Sequence, residues 1–228
     1  MNLPSDFATR INLFKGLTPA EISWVCQRLH ERQFPPAVDL VTEGEPSDLV
    51  YFILDGTVKV YLPQLDGGQV ILNIQGPGDV VGELGAIDQA GHSASVITLE
   101  TTFTLWMTRT HFLEMLRTIP RANENLLCSL VGRVRRVTRL IRTFAALDVP
   151  GRIAHQLLLL AEEYGQNTPH GVLIRLRLPQ SEIAELVGAS RRRANQVMVA
   201  FKRQGVLSAD PEGHITLHCP DALRALVD

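Results

Sequence analysis

The sequence has little that would commit it to metal, disulfide or membrane chemistry. Its 228 residues include three cysteines, Cys26, Cys128 and Cys219, which lie far apart. No pair has the spacing of metal ligands, and an odd count argues against a disulfide framework. The thiols read as buried or idle groups in a reducing compartment. No apolar run approaches the roughly 20 residues of a membrane-spanning helix. The N-terminus lacks the basic, apolar, small-residue order of a secretory signal. The expectation is a cytoplasmic protein with no membrane partner. A dominant charge is missing as well: 22 Lys and Arg stand against 24 Asp and Glu. A nucleic-acid footprint therefore has to be a local patch, not a whole-chain property. No nucleophile–base–orienter set is apparent, and the histidines lack partners at helical spacing, so the chain does not read as an enzyme.

What is there changes texture along the chain. Thr18-Pro19-Ala20-Glu21 has the order of an N-cap, a first-turn Pro and a capping-box acid, and Ile22, Val25, Cys26 and Leu29 follow at helical spacing. After Pro35-Pro36 come short runs rich in β-branched and aromatic residues: Val50–Leu54, Thr57–Tyr61, Val70–Ile74 and Phe103–Met107. Turn signals separate them at Glu43–Pro46, Asp55-Gly56, Asp66–Gly68 and Gly76–Asp79. Many short strands without intervening helices predict an antiparallel roll or sandwich.

Near His111 the pattern becomes helical, and a long segment runs from Pro120 to about Leu147. Its apolar residues Leu127, Leu130, Val134, Val137, Ile141 and Phe144 are spaced three, four, three, four, three. Such a narrow stripe is the seam of a two-helix coiled coil, and it predicts a homodimer. Arg133, Arg135, Arg136, Arg139 and Arg142 occupy the other faces, read as a solvated surface with some members available to a ligand or to partner acids. Asp148–Gly151 reads as a hinge, because Pro disfavours helix at the preceding residue and Gly loosens the chain. A further helix follows, ended by Gly165 and Pro169–Gly171, and Val172–Leu178 alternates like a short strand.

The densest local signal lies between Leu178 and Arg203. Pro179 with Gln180 and Ser181 opens one short helix whose inner face is Ile183, Ala184 and Val187. Gly188 supplies a tight turn, Ser190 an N-cap, and Ala194, Val197, Met198 and Phe201 the inner face of a second helix. Arg191, Arg192, Asn195 and Gln196 then lie on its outer side near the leading end. A recognition helix enters the major groove with its first turns leading. There Arg donates twice to guanine, and Asn or Gln pairs with adenine. Five basic side chains, Lys202 among them, and no acid lie between Gly188 and Gly205, a patch that phosphates reward through counterion release. Gly205–His218 has the order of a small hairpin, or wing.

With these motifs in this order, the chain resembles the CRP/FNR superfamily of bacterial regulators. The residues that carry the resemblance are Gly56–Val60, Gly76–Gly85, Leu147–Ala154 and Ile183–Arg191. The resemblance covers nearly the whole length. It implies an α+β fold: an antiparallel β-roll of cyclic-nucleotide-binding type over residues 1–119, a dimerisation helix over 120–147, and a winged helix-turn-helix over 148–228. It also implies a phosphate-binding cassette in the Gly-rich stretch. Gly82 and Glu83 would face the ribose of a cyclic nucleotide, His92 and Ser93 its cyclic phosphate and Thr138 the base, with Leu84 also in the effector site. The cyclic-AMP binders of that family carry an arginine where this chain has His92. A histidine is mostly neutral at pH 7 and lacks the bidentate fork, so cyclic AMP is disfavoured. The open expectations are a nucleotide-type ligand, a different small molecule, or no effector. Arg191 matches the family's reading helix, whereas Arg192 and Gln196 depart from it, so the half-site should differ. The expected partners are double-stranded DNA with two-fold symmetry, a second copy of the chain, and RNA polymerase. A rival from another class, a cyclic-nucleotide sensor acting on a protein partner, would share the roll and lack the basic reading helix.

Overall fold

The computed structural model describes residues 10–227 apart from Ser47 and residues 64–68, and within it the side chains of residues 139–142, 144, 145 and 180 are outside the description. The turn expected at Asp66–Gly68 therefore lies outside the described residues. The chain divides into two compact units: Met1–Gly68 with Leu72–Val134, and Gln69–Ile71 with Arg135–Asp228.

In the first unit a 3-10 turn (Asn12–Phe14) precedes helix α1 (Pro19–Cys26), which is started by the expected capping box. The Thr18 hydroxyl accepts the Glu21 N–H at 3.4 Å, and the Glu21 carboxylate accepts the Thr18 N–H at 2.6 Å. Eight strands follow: β1 (His30–Phe34), β2 (Asp39–Val41), β3 (Leu49–Asp55), β4 (Val58–Pro63), β5 (Gln69–Gln75), β6 (Val80–Val81), β7 (Ser95–Thr98) and β8 (Thr102–Thr108). One sheet has the order β1-β8-β3-β6 and the other β2-β7-β4-β5. A short helix α2 (Glu83–Asp88) leaves β6, and α3 (Arg109–Thr118) and α4 (Pro120–Ala146) follow β8.

The run Val50–Leu54 explains why the roll has two cores. Successive residues of a strand point to opposite faces. Val50, Phe52 and Leu54 join Leu105, Met107, Phe112, Met115, Ile119, Ala122 and Leu126 in a core between sheet and helices. Tyr51 and Ile53 join Phe34, Val58, Val81 and Val96 in a second core within the roll. A strand buried on both faces reads as an unbroken apolar run, not an alternation. The sequence pattern missed β1, β2, β6 and β7. β1 precedes Pro35-Pro36, where the change of texture was placed, and its His30–Gln33 are exposed. β2 and β6 have only three and two residues.

In the second unit, helix α5 (Val149–Tyr164) leads into a hairpin of β9 (Gly165–Thr168) and β10 (Gly171–Ile174). Helices α6 (Gln180–Leu186) and α7 (Arg191–Arg203), wing strands β11 (Leu207–Ala209) and β12 (Ile215–Leu217), and α8 (Pro220–Arg224) complete it. Its sheet has the order β11-β12-β10-β9. The strand expected over Val172–Leu178 ends at Ile174, and its partner β9, Gly-Gln-Asn-Thr, carries no apolar signal. The segment expected as a hinge, Asp148–Gly151, opens α5. Asp148 caps α5 by accepting the Gly151 N–H at 3.0 Å, and Pro150 sits in the first turn, where a missing N–H costs nothing. Gly151 is demanded by close packing, since a Cβ there would lie 2.9 Å from the Leu226 carbonyl.

Candidate functional site

Helices α6 and α7 pack through their small and branched residues. Ile183, Ala184, Leu186 and Val187 on one helix, and Ala194, Val197, Met198 and Phe201 on the other, are all buried. Between them Gly188 adopts φ +61°, the left-handed conformation that glycine reaches at least cost. Ser190 starts α7, and its hydroxyl accepts the Arg193 N–H at 3.3 Å. With the inner face committed, Arg191, Arg192, Asn195 and Gln196 are exposed on the first turns of α7. Arg193, which the sequence pattern counted only as one of the basic residues, is exposed beside them. Lys202 is half-buried in the last turn, about 16 Å along the axis from Arg191 at the helical rise. Ser181 is half-buried in the first turn of α6, and the Gln180 side chain lies outside the described residues. Arg191 also meets an acid that the sequence pattern did not single out: its Nη2 is 3.4 Å from Glu185 Oε1.

The glycine cassette is tightly built. Gly82 has φ +87°, and a Cβ there would lie 2.8 Å from the Leu49 carbonyl and 3.3 Å from His92 Cε1. Its neighbour Glu83, only 2% exposed, is paired with the Arg133 guanidinium from α4. Arg133 Nη2 also donates to the Val80 carbonyl at 2.9 Å. Arg133, expected on a solvated face with some members available to a ligand or to partner acids, is instead engaged with Glu83 of its own chain. Helical periodicity carries no mark of an ion pair fifty residues apart. Burial pushes the Glu83 carboxyl above its ordinary range, and Arg133 draws it back. His92 is buried and held by backbone bonds in both directions: its N–H donates to the Glu45 carbonyl and its carbonyl accepts from Gly44, each at 2.9 Å. Burial pushes the imidazole below its ordinary value, with Glu45 and Asp48 opposing. Leu84 and Ser93 are exposed. The cassette thus brings Gly82, Glu83 and His92 together, while Thr138 is exposed on the part of α4 that belongs to the second unit.

On α4 the exposed apolar residues are Leu127 at 55%, Val131 at 50%, Val134 at 66% and Val137 at 57%. Leu130 of the expected stripe is half-buried and packs in part against the core of its own unit. Val131, a residue the three-four reading passed over, is exposed beside the line. The Ile141 and Phe144 side chains lie outside the described residues. Arg136 is also engaged within the chain, 2.6 Å from Glu163. Among the described residues no helix is long and apolar enough to cross a membrane.

A roll with a glycine cassette, a long helix with an outward apolar line and a winged helix-turn-helix define a two-module regulator of transcription. Residues 31–119 match the cyclic nucleotide-binding domain family, and residues 151–226 match the Crp-like helix-turn-helix domain family. The CRP-like cAMP-activated global transcriptional regulator of Mycobacterium tuberculosis is 34% identical over 200 residues, covering 88% of this chain and 89% of that protein. The cyclic AMP receptor protein of Thermus thermophilus is 28% identical, covering 87% and 89%. The solved structure of FixK2 from Bradyrhizobium japonicum has the same fold, with a TM-score of 0.77 at 18% identity, covering 88% of this chain and 98% of that one. The c-di-GMP responsive global regulator CLP of Xanthomonas campestris aligns with a TM-score of 0.69 at 25% identity, covering 88% and 99%. The chain belongs to the CRP/FNR superfamily, a family of transcription regulators and not of enzymes.

Proposed function

We propose that the chain works as a homodimer that reads a two-fold symmetric DNA site, one α7 in each of two major grooves. In this reading residues 1–119 form the effector roll, 120–147 the dimer helix and 148–228 the DNA-binding module. The observation that carries the reading is the tip of α7, where a buried inner face holds Arg191, Arg192, Asn195 and Gln196 outward. Two arginines suit guanine, and Asn and Gln suit adenine. Gln180, Ser181, Ser190 and Lys202 are assigned to phosphate and backbone contacts, which position a reader without specifying sequence. The line Leu127, Val131, Val134 and Val137 is assigned to the partner helix, with Ile141 and Phe144 extending it. RNA polymerase is the further partner, and the cytoplasm the compartment, that this reading implies.

For the roll we infer a pocket of cyclic-nucleotide type that takes cyclic AMP poorly. The neutral His92 offers no permanent cation to a cyclic phosphate. A second reading, a regulator that needs no effector, is favoured by the Arg133–Glu83 pair, because it already occupies the carboxylate a ribose would use.

Selection of binding sites from random DNA, followed by gel-shift titration, tests the DNA reading. The selected sites are expected to be palindromic, with half-site centres about 34 Å apart. Arg191→Ala is expected to weaken specific binding by about 1–3 kcal/mol. Equal affinity of mutant and wild type would remove Arg191 as a reader, and asymmetric sites would remove the dimer reading.

A further inference from the structure

We propose that Glu185 is a positioning residue for base readout: from the last turn of α6 it holds the Arg191 guanidinium at the tip of α7 before DNA arrives. The inference rests on Arg191 being a reader. Glu185 Oε1 lies 3.4 Å from Arg191 Nη2, and the two side chains differ in freedom, 28% exposed against 74%. The more enclosed partner restrains the more exposed one.

The carboxylate is carried at a set place because the turn between the helices is bonded shut. The Gly188 N–H donates to the Glu185 carbonyl at 3.2 Å, and the Ala189 N–H to the Ala184 carbonyl at 2.9 Å. Below the turn, Ile183, Ala184 and Val187 are buried with Ala194, Val197 and Met198. An arginine left to itself samples many rotamers, and losing them on binding opposes association. Pairing before the encounter removes part of that loss. The guanidinium has five N–H donors in a planar fork. One contact through Nη2 leaves the others for the two acceptors on the guanine edge.

Glu185 also brings negative charge to a face where Arg191, Arg192 and Arg193 stand in sequence. It therefore opposes the sequence-independent attraction to phosphates. Both effects favour discrimination over bulk affinity. An exposed ion pair contributes little to folding, so its removal separates readout from stability.

The test uses the full chain, the selected operator and every single-base-pair variant of one half-site, with wild type, Glu185→Gln, Arg191→Ala and the double variant. Affinities are measured by fluorescence anisotropy, with a random duplex as the non-specific reference. Glu185→Gln is expected to lower discrimination about two- to tenfold, confined to the base pair at which Arg191→Ala loses preference. Its affinity for the random duplex is expected to stay equal or rise, and its thermal midpoint to match wild type. In the Arg191→Ala background it is expected to change discrimination no further. Full discrimination by Glu185→Gln, beside a loss in Arg191→Ala, overturns the positioning role and leaves the reader intact. An equal loss with and without Arg191 also overturns it. Undiminished discrimination by Arg191→Ala removes the reader itself, and the proposal with it.

Discussion

Arg133 of the long helix and Glu83 of the glycine cassette form an ion pair in which the carboxylate is almost wholly enclosed, at 2% exposure. Arg133 adds a 2.9 Å hydrogen bond to the Val80 carbonyl, one strand earlier. The middle of α4 and the cassette are thereby one bonded piece. Movement of one displaces a buried charge of the other unless both move together. Removing a single partner from such a pair is more damaging than the pair itself is stabilising, because a bare charge is left behind.

Arg133→Ala is therefore expected to destabilise the protein by about 3–5 kcal/mol in chemical denaturation. The pH dependence has a definite sign. Burial raises the Glu83 carboxyl above its ordinary 4.5, against the pull of Arg133. A carboxyl raised in the folded state contributes most below its ordinary value, and that contribution is lost as pH rises through the folded value. With Arg133 gone the folded value rises further. The variant should regain more stability than wild type on acidification from neutrality toward 4.5. A variant as stable as wild type, with the same pH profile, would show that the pair carries no weight.

His92 leads to a binding prediction. Burial lowers its imidazole below the ordinary 6.5, and Glu45 and Asp48 offset this in part. A lowered histidine stabilises the fold above its ordinary value and withdraws that contribution as pH falls through the folded value. At neutral pH it is uncharged. Calorimetry at neutral pH is expected to give no detectable heat with cyclic AMP for wild type and measurable binding for His92→Arg, whose charge is permanent. Micromolar or tighter binding by wild type would refute the assignment.

The outward line of α4 predicts the oligomer. Val134 is 66% exposed in the single chain, and burying a valine in a seam contributes about 1.5–3 kcal/mol. Two-fold symmetry counts each position twice. Val134→Asp is expected to sediment as a monomer at concentrations where wild type is a dimer, and to lose affinity for palindromic DNA with its circular dichroism retained. Leu130→Ala should instead lower stability, since that side chain packs on its own core. A monomeric wild type would end the seam assignment.

Much of the fold was legible because its signals are short-range. The capping box at Thr18, the cap at Ser190 and the left-handed Gly188 follow from hydrogen bonds and sterics within a few residues. The apolar spacing of α7 by itself places Arg191, Arg192, Asn195 and Gln196 on the outer face. β1 was not legible, because an edge strand of exposed polar residues is held by its ladder to β8 and not by its own pattern. The helix start at Asp148 is hard to read from sequence because Pro and Gly open a helix as readily as they end one, and a cap and a close approach to Leu226 decide which.

The sequence by itself determined the order of modules and the inner and outer faces of α7, since the helical period of 3.6 is written along the chain. The tertiary structure alone decided three things: that Arg133 reaches Glu83, that Glu185 reaches Arg191, and that Leu130 is partly covered by its own unit while Val131 stays exposed. Each depends on which surfaces pack together. A charge finds its partner, and a helix its buried side, only when distant segments meet.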